Sequence, residues 1–225
     1  MNLRSLRRVA LGVAIILLGI ASLAHAGPPL VCHPIEIGQA KSLPWVDLND
    51  HQGSTNYDLQ NLTRDTLALL DSNRTVLLHM ETLRRATLYA RQNPQAAKEL
   101  LTRVDARAAH SDSGDAAALA WFDAGYLAEA YKQWIGKDEP NPASGLDGYA
   151  WVNKAIALRG SDPQMEFAAA LITLTVSQQD HAGHVAKALA GAKTDPLLAQ
   201  NLASTFHHQT ISALLTRDTS QLVKQ

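Results

Sequence analysis

Four histidines near the carboxyl-terminal end have the residue type and the spacing that could hold a metal ion. They are His181, His184, His207 and His208. The first two lie three residues apart near a predicted helix start, and the other two lie near the end of the next predicted helix. If these helices pack antiparallel, the four imidazoles could converge on zinc or copper. No HExxH or Asp/Glu-x-x-His pattern accompanies them, and histidines at helix ends ordinarily face water or the last carbonyls, so we predict no metal and no other cofactor.

The single cysteine, Cys32, is the second candidate for chemistry, and His33 follows it directly. With no second cysteine, the thiol forms no intramolecular disulfide; in an oxidising compartment it is buried, joined to another chain or used in a reaction. Adjacent residues on an extended chain point to opposite faces, which makes this pair a poor metal clamp. We favour the interpretation that Cys32 is an unpaired thiol acting as a small buried hydrophobe.

Motifs of the common enzyme classes are missing from the sequence. It contains no GxSxG elbow, Walker loop or GxGxxG turn. Glu81, Glu129 and Glu166 lie in predicted helices among apolar neighbours, where each could be a buried acid, although a solvated or salt-bridged position is commoner for Glu. Glu81 has Arg84 and Arg85 within helical reach, which predicts i,i+3 or i,i+4 pairs. We therefore predict that the protein is not an enzyme.

The amino terminus predicts export. Residues 1–26 have the three parts of a secretory signal peptide. These are a basic start with Arg4, Arg7 and Arg8, an apolar stretch over 9–23, and small residues Ala24 and Ala26 before the cleavage point. We predict cleavage between Ala26 and Gly27 and a periplasmic or secreted mature protein, whose only membrane contact is the signal peptide before cleavage. An uncleaved anchor is the alternative, but it would need about 20 apolar residues.

The composition is that of a soluble globular protein, with 225 residues, 46% hydrophobic and 18% charged. Without the three arginines of the signal peptide, 17 basic residues face 21 acidic ones. This acidic balance argues against a nucleic-acid partner, because the phosphates need a basic surface.

Two kinds of structure are expected along the mature chain. Residues 27–56 are rich in proline and glycine and predict an extended amino-terminal arm. From Tyr57 onward, apolar residues recur at helical spacing, which predicts an all-α domain over 57–217 and a carboxyl-terminal tail over 218–225. Helix starts are predicted where a capping side chain precedes a proline, at Asn93-Pro94, Asp162-Pro163 and Asp195-Pro196. Further starts are predicted at Asn73, Ser113, Gly145 and Asp180.

The helical region contains an internal repeat. Seven residues between 147 and 163 recur 33 positions later, at Asp180, Val185, Lys187, Ala188, Ala190, Asp195 and Pro196. A weaker copy ends at Asn93-Pro94. A spacing near 33 residues is that of helical-hairpin repeats, in which each hairpin buries its apolar face on its neighbours. The alternative is a set of alanine-rich hairpins that share only their caps.

Residues 73–206 resemble the tetratricopeptide family, in a degenerate form. Its Trp, Leu-Gly and Tyr positions are partly matched by Trp121, Ala124-Gly125 and Ala128, and its second-helix ending resembles Lys154-Ala155-Ile156 followed by Asp162-Pro163. Three features differ from the family pattern. Ala128 stands where the family has an aromatic residue, the proline comes three residues later than in the family, and an insertion that contains Pro and Gly separates the two helices. The resemblance implies antiparallel hairpins stacked as a short solenoid.

The same resemblance implies a partner-binding surface. Trp121, Ala124, Gly125 and Ala128 would form the seam between two helices, and Phe122, Tyr126 and Glu129 would line a concave groove for a protein or peptide partner. The alternative is that these aromatic side chains belong to the core. The sequence therefore predicts an exported binding scaffold; the other hypothesis is a metal- or thiol-dependent protein that uses Cys32 and His33, or the four histidines.

Overall fold

The computed structural model describes residues 29–46, 53–71, 75–111, 113–135 and 140–206. Within these ranges the chain is all-α, as predicted, and its only strand-like pairing is an isolated bridge between Trp45 and Gly53. A 3-10 helix over Leu59–Asn61 precedes the first α-helix. The eight α-helices are α1 Leu62–Asp71, α2 Val76–Ala90, α3 Pro94–Ala109, α4 Gly114–Trp134, α5 Gly148–Arg159, α6 Pro163–Thr173, α7 Gln178–Ala192 and α8 Pro196–Thr205.

Several features predicted from the sequence lie outside the described residues. They are the signal peptide with its cleavage point, the helix start at Asn73, His207 and His208, and the carboxyl-terminal tail. No helix among the described residues has the length and apolar character needed to cross a membrane.

The three helix starts predicted at a capping residue and a proline are confirmed. Asn93, Asp162 and Asp195 each accept hydrogen bonds from first-turn amides at 2.8–3.2 Å. Ser113 precedes α4 as expected. The other two predictions are displaced, because α5 begins three residues beyond Gly145, where the Asp147 side chain supplies the cap, and α7 begins two residues before Asp180, where the Ser177 side chain supplies it.

Helix α2 is the centre of the fold. Every residue of this helix except Arg85 is buried, and it packs against α1, α3, α4 and α6. A helix that is buried on all sides needs neighbours on all sides. The helices after α3 also pack against their neighbours in the chain: α4 packs against α5, α6 against α7, and α8 against α7.

The arm segment, defined here as residues 29–46, contains no helix and is built into the core. Four of its side chains are at most 2% exposed, namely Leu30, Val31, Ile35 and Leu43. Burying an aliphatic side chain contributes about 1.5–3 kcal/mol, so these four anchors stabilise the contact between the arm segment and the helices strongly.

Candidate functional site

The backbone of the arm segment is held by side chains from three helices. They are Glu81, Arg84, Arg85 and Tyr89 of α2, Gln133 of α4 and Asn201 of α8. We call the surface formed by these six residues the arm groove. Because its polar contacts go to backbone amides and carbonyls, the arm groove holds the arm segment through its main chain, and the apolar anchors fix where that segment lies.

Asn201 makes the most specific of these contacts. Its Oδ1 accepts the amide N–H of Glu36 at 2.8 Å, and its Nδ2 donates to the carbonyl of the same residue at 2.9 Å. The side chain is fully buried, and Nδ2 also donates to the Leu197 carbonyl one turn earlier in α8, which fixes the orientation of the amide. One side chain thus satisfies both polar backbone groups of one arm residue.

Glu81 and two arginines form a charged cluster beneath the arm segment. The carboxylate of Glu81 binds Arg84 Nε at 2.7 Å and Arg85 Nε at 2.6 Å, which confirms the predicted i,i+3 and i,i+4 pairs. Glu81 is salt-bridged, which is one of the two positions expected for it, but it is not solvated, because the side chains of Glu81 and Arg84 are fully buried. The arm segment supplies further hydrogen bonds to both side chains, which reduces the cost of burying them.

The cluster contacts three backbone groups of the arm segment. Glu81 accepts the Ile35 N–H at 3.0 Å. Arg84 donates to the Val31 carbonyl at 3.0 Å, and Arg85 donates to the Leu43 carbonyl at 2.6 Å. The carboxylate accepts a hydrogen bond from an amide, and the guanidinium groups donate hydrogen bonds to carbonyls. Together they match the donors and acceptors that alternate along a polypeptide backbone.

Aromatic rings fix the end of the arm segment. Trp45 packs edge-on against Tyr89 at 5.7 Å between ring centroids, and Tyr57 lies 4.6 Å from the same ring. The Tyr89 hydroxyl donates to the Pro44 carbonyl at 2.5 Å and accepts the Ser54 N–H at 2.8 Å. The pKa of Tyr89 is raised by burial, against the opposing effects of the Ser54 amide and Arg85, so the phenol keeps its proton.

The structure corrects the prediction of an open groove lined by Phe122, Tyr126 and Glu129. Phe122 and Tyr126 are fully buried, and burial raises the pKa of Tyr126, with the charge of Glu81 adding to the rise and Arg84 opposing it. Tyr126 therefore belongs to the core, beside the charged cluster. Glu129 is largely buried too, and it accepts the Tyr149 N–H of the first turn of α5 at 3.1 Å and Lys132 Nζ at 2.8 Å. These three side chains support the fold and are not available on an open surface.

Cys32 is a free thiol that is only partly buried, so the expectation of a fully buried position is wrong. Its backbone neighbour Val31 is held by Arg84, and the thiol stays at the surface of the arm segment. Burial raises the pKa of Cys32, and the positive charge of Arg84 opposes that rise. A thiol with a raised pKa is a weak nucleophile.

The described residues do not bring the predicted histidines together as metal ligands. His181 Nδ1 lies 2.8 Å from the Ala170 carbonyl, whereas His184 Nδ1 lies 2.5 Å from Glu166 Oε2 and its Nε2 lies 2.8 Å from the Tyr149 hydroxyl. Both ring nitrogens of His184 are therefore engaged. Among the residues that the structure describes, no group of three metal-ligating side chains occurs.

The chain from Tyr149 through His184 to Glu166 was missed by sequence reasoning, although Glu166 itself was a candidate buried acid. The carboxylate is fully buried and also accepts Ser161 Oγ at 2.8 Å and Lys187 Nζ at 3.0 Å. Burial acts to raise the pKa of Glu166, but the hydrogen bonds from His184, Ser161 and Lys187 outweigh it and lower the pKa. The spacing of His184 and Lys187 was the available signal, because residues three apart share a helix face.

In this cluster a hydroxyl is hydrogen-bonded to an imidazole, and the imidazole is hydrogen-bonded to a carboxylate. The lowered pKa of Glu166 favours its ionised form as the partner of His184 Nδ1, and the Tyr149 hydroxyl shares a hydrogen bond with Nε2 whose direction depends on the tautomer of the imidazole. The three side chains connect α5, α6 and α7, and none of them lines one of the three clefts described below. We assign it a structural role, comparable to the buried pair of His79 and Asp123, whose atoms are 2.6 Å apart.

The described residues also form clefts outside the arm groove, among them three open ones. One has a volume of about 520 Å³ and lies between α3 and the connection from α4 to α5. Its lining includes Pro94, Lys98, Leu101, Asp105, Pro140 and Leu146. The other two, of about 370 and 540 Å³, lie at the start of α6 and beside Arg107 of α3.

Comparisons of the chain with protein-family models, with curated proteins and with solved structures found no significant match.

Proposed function

We propose that this protein is an exported helical scaffold that binds an extended segment of a protein or peptide partner in the arm groove. The observation that carries the proposal is the arm segment itself. It is a non-helical stretch of chain, seated by four apolar anchors and held through its backbone by side chains of α2, α4 and α8. Binding in place of the arm, and not catalysis, is the activity that this geometry supports best.

The order of the helices supports a tetratricopeptide-like arrangement as part of this proposal. The arm backbone is held by even-numbered helices of the series, and α4 with α5 and α6 with α7 form the most extensive contacts between neighbouring helices. In stacked helical hairpins, one helix of each pair lines a concave face, and that face is the usual binding surface. The arm segment would then be a ligand supplied by the protein itself.

A tethered ligand competes strongly with a free one. The arm segment is joined covalently to the helices by the chain that follows residue 46, and a ligand tethered in this way has an effective concentration on the order of millimolar. A partner segment of equal intrinsic affinity would therefore displace the arm only at similar concentrations. Cutting the tether should remove this advantage.

The test uses the full chain with a specific protease site placed within residues 47–52. After cleavage, a fluorescent synthetic peptide of residues 29–46 is added under reducing conditions, and binding is followed by anisotropy. We expect exchange in the cleaved protein and much weaker binding in the uncleaved one. Asn201→Ala should weaken the exchange, whereas Asn61→Ala, the same change in the 3-10 helix away from the groove, should not.

Three results would count against the proposal. The first is a cleaved protein that stays folded by circular dichroism and never exchanges its arm. The second is loss of the fold on cleavage, which would make the arm a permanent part of the core. The third is equal exchange by the Asn201→Ala and Asn61→Ala variants, which would exclude the arm groove as the binding surface.

The exported location is a separate part of the proposal. We expect the protein recovered from the extracytoplasmic fraction to begin at Gly27, because small residues at Ala24 and Ala26 follow the apolar stretch. Amino-terminal sequencing with intact mass measurement checks this. A chain that retains Met1 would argue for an uncleaved anchor.

A further inference from the structure

We infer that the arm groove selects partner segments by a backbone-and-anchor pattern, in which two adjacent apolar residues are followed by a third four residues after the second. The third apolar residue and the one after it must each carry a free amide N–H. This inference rests on the proposed function and specifies its ligand. The template is the stretch from Leu30 to Glu36 in the arm segment.

The apolar positions of the pattern are the arm residues whose side chains are buried. Leu30, Val31 and Ile35 are 1%, 0% and 2% exposed, whereas every residue between Val31 and Ile35 is partly exposed. The side chains at the intervening positions are less buried than the three anchors, so the anchors define the apolar part of the pattern. Substituting a small residue for one of the three anchors leaves a cavity in the core, which lowers affinity.

Five backbone groups of the template are bound, and the backbone part of the pattern rests on the four whose partner side chains are fully buried. The fifth is the Leu30 N–H, which is accepted by the partly buried Gln133, so its loss costs less. The Ile35 N–H is accepted by the buried Glu81 carboxylate, and the Glu36 N–H is accepted by the buried Asn201 amide. The Val31 and Glu36 carbonyls accept from Arg84 and Asn201. A proline at position 35 or 36 would leave a buried acceptor without its donor, so the groove rejects proline there but accepts it at position 34, as the arm segment itself does.

The side chain at position 36 is free to vary. Among the contacts that the structure describes, Glu36 is bound only through its backbone N–H and carbonyl. Glu36 is also partly exposed. The pattern therefore specifies no charge at this position. Selection by the groove depends on apolar residues at three positions and on amide hydrogens at two.

The test compares synthetic 29–46 peptides in the cleaved protein described above. N-methylation of the Ile35 or Glu36 amide should weaken binding roughly 10- to 100-fold, because each removes a hydrogen bond to a buried acceptor. N-methylation of Ile37 is the control, because its amide has no partner among the described residues. Ile35→Ala should weaken binding by a similar factor, and Glu36→Gln should leave it unchanged.

The outcomes separate this inference from the proposed function. If the unmodified peptide exchanges and both N-methylated peptides bind as well as the Ile37 control, the backbone pattern is wrong while the binding function stands. If Glu36→Gln abolishes binding, side-chain recognition replaces the inferred pattern. If the unmodified peptide does not exchange at all, the proposed function itself fails.

Discussion

Gly125 of α4 and Gly148 of α5 bring the backbones of two helices into direct contact. A Cβ atom added to Gly125 would lie 2.5 Å from the Gly148 carbonyl oxygen, and one added to Gly148 would lie 2.5 Å from the Gly125 carbonyl oxygen. No side chain fits between these segments. Because α5 starts at this contact, the two glycines set the closest approach of the α4–α5 hairpin, in agreement with the predicted seam position of Gly125.

Gly125→Ala should therefore destabilise the protein, although alanine is the better helix former. We expect a loss of about 1–3 kcal/mol, because backbone atoms would have to move apart. Gly183→Ala in α7 is the matched control: nothing lies within 4 Å of its added Cβ, and the change should stabilise by up to about 1 kcal/mol. Urea unfolding midpoints of the two variants check this, and a neutral Gly125→Ala would show that the hairpin can open at no cost.

Tyr126→Phe should stabilise the protein by about 1 kcal/mol, because its fully buried hydroxyl has no hydrogen-bond partner among the described residues. Tyr89→Phe offers the opposite case. Its hydroxyl bonds to Pro44 and Ser54, so its loss should destabilise by about 1–2 kcal/mol and loosen the end of the arm segment. Thermal unfolding of both variants gives the comparison; a destabilised Tyr126→Phe would indicate a hydrogen bond to an ordered water.

Asp162→Ala and Asp195→Ala should each cost about 1 kcal/mol through loss of a helix cap. Asp195 also accepts Gln164 Nε2 at 2.6 Å, which links the starts of α6 and α8, so its replacement should cost more than that of Asp162. Asn variants at both positions keep the capping oxygen and serve as controls. Chemical denaturation that gives equal midpoints for wild type and both Ala variants would remove the capping explanation for the repeat.

Glu166 should contribute a pH-dependent part of the stability. Its folded pKa is lowered from an ordinary value of 4.5, so its stabilising contribution is complete above that value and is lost as the pH falls through the folded pKa. Glu166→Gln should destabilise by roughly 3 kcal/mol at pH 7, and the gap to wild type should narrow as the pH falls below 4.5. Glu99→Gln, at an exposed position, is the control. Unfolding midpoints between pH 7 and pH 3 test this; a gap independent of pH would mean that the pKa of Glu166 is the same in the folded and the unfolded protein.

Local features of the fold were predictable from the sequence because their causes are local. An Asn or Asp before a proline determines a helix start through atoms within four residues, and α3, α6 and α8 begin where this pattern predicts. The pairing of Glu81 with Arg84 and Arg85 depends only on helical spacing. The all-α class followed from the apolar periodicity in the same way.

The positions of side chains relative to distant segments were decided by tertiary structure alone. Asn201 and Glu36 are 165 residues apart in the chain, and no local pattern indicates that one would clamp the other. Tyr126 was assigned to an open groove because helical periodicity distinguishes the faces of a helix but not what covers them. The burial of that residue depends on the packing of α4 within the domain, and the Glu81 cluster beside it is bound by the backbone of the arm segment. Only the three-dimensional arrangement of the chain determines both.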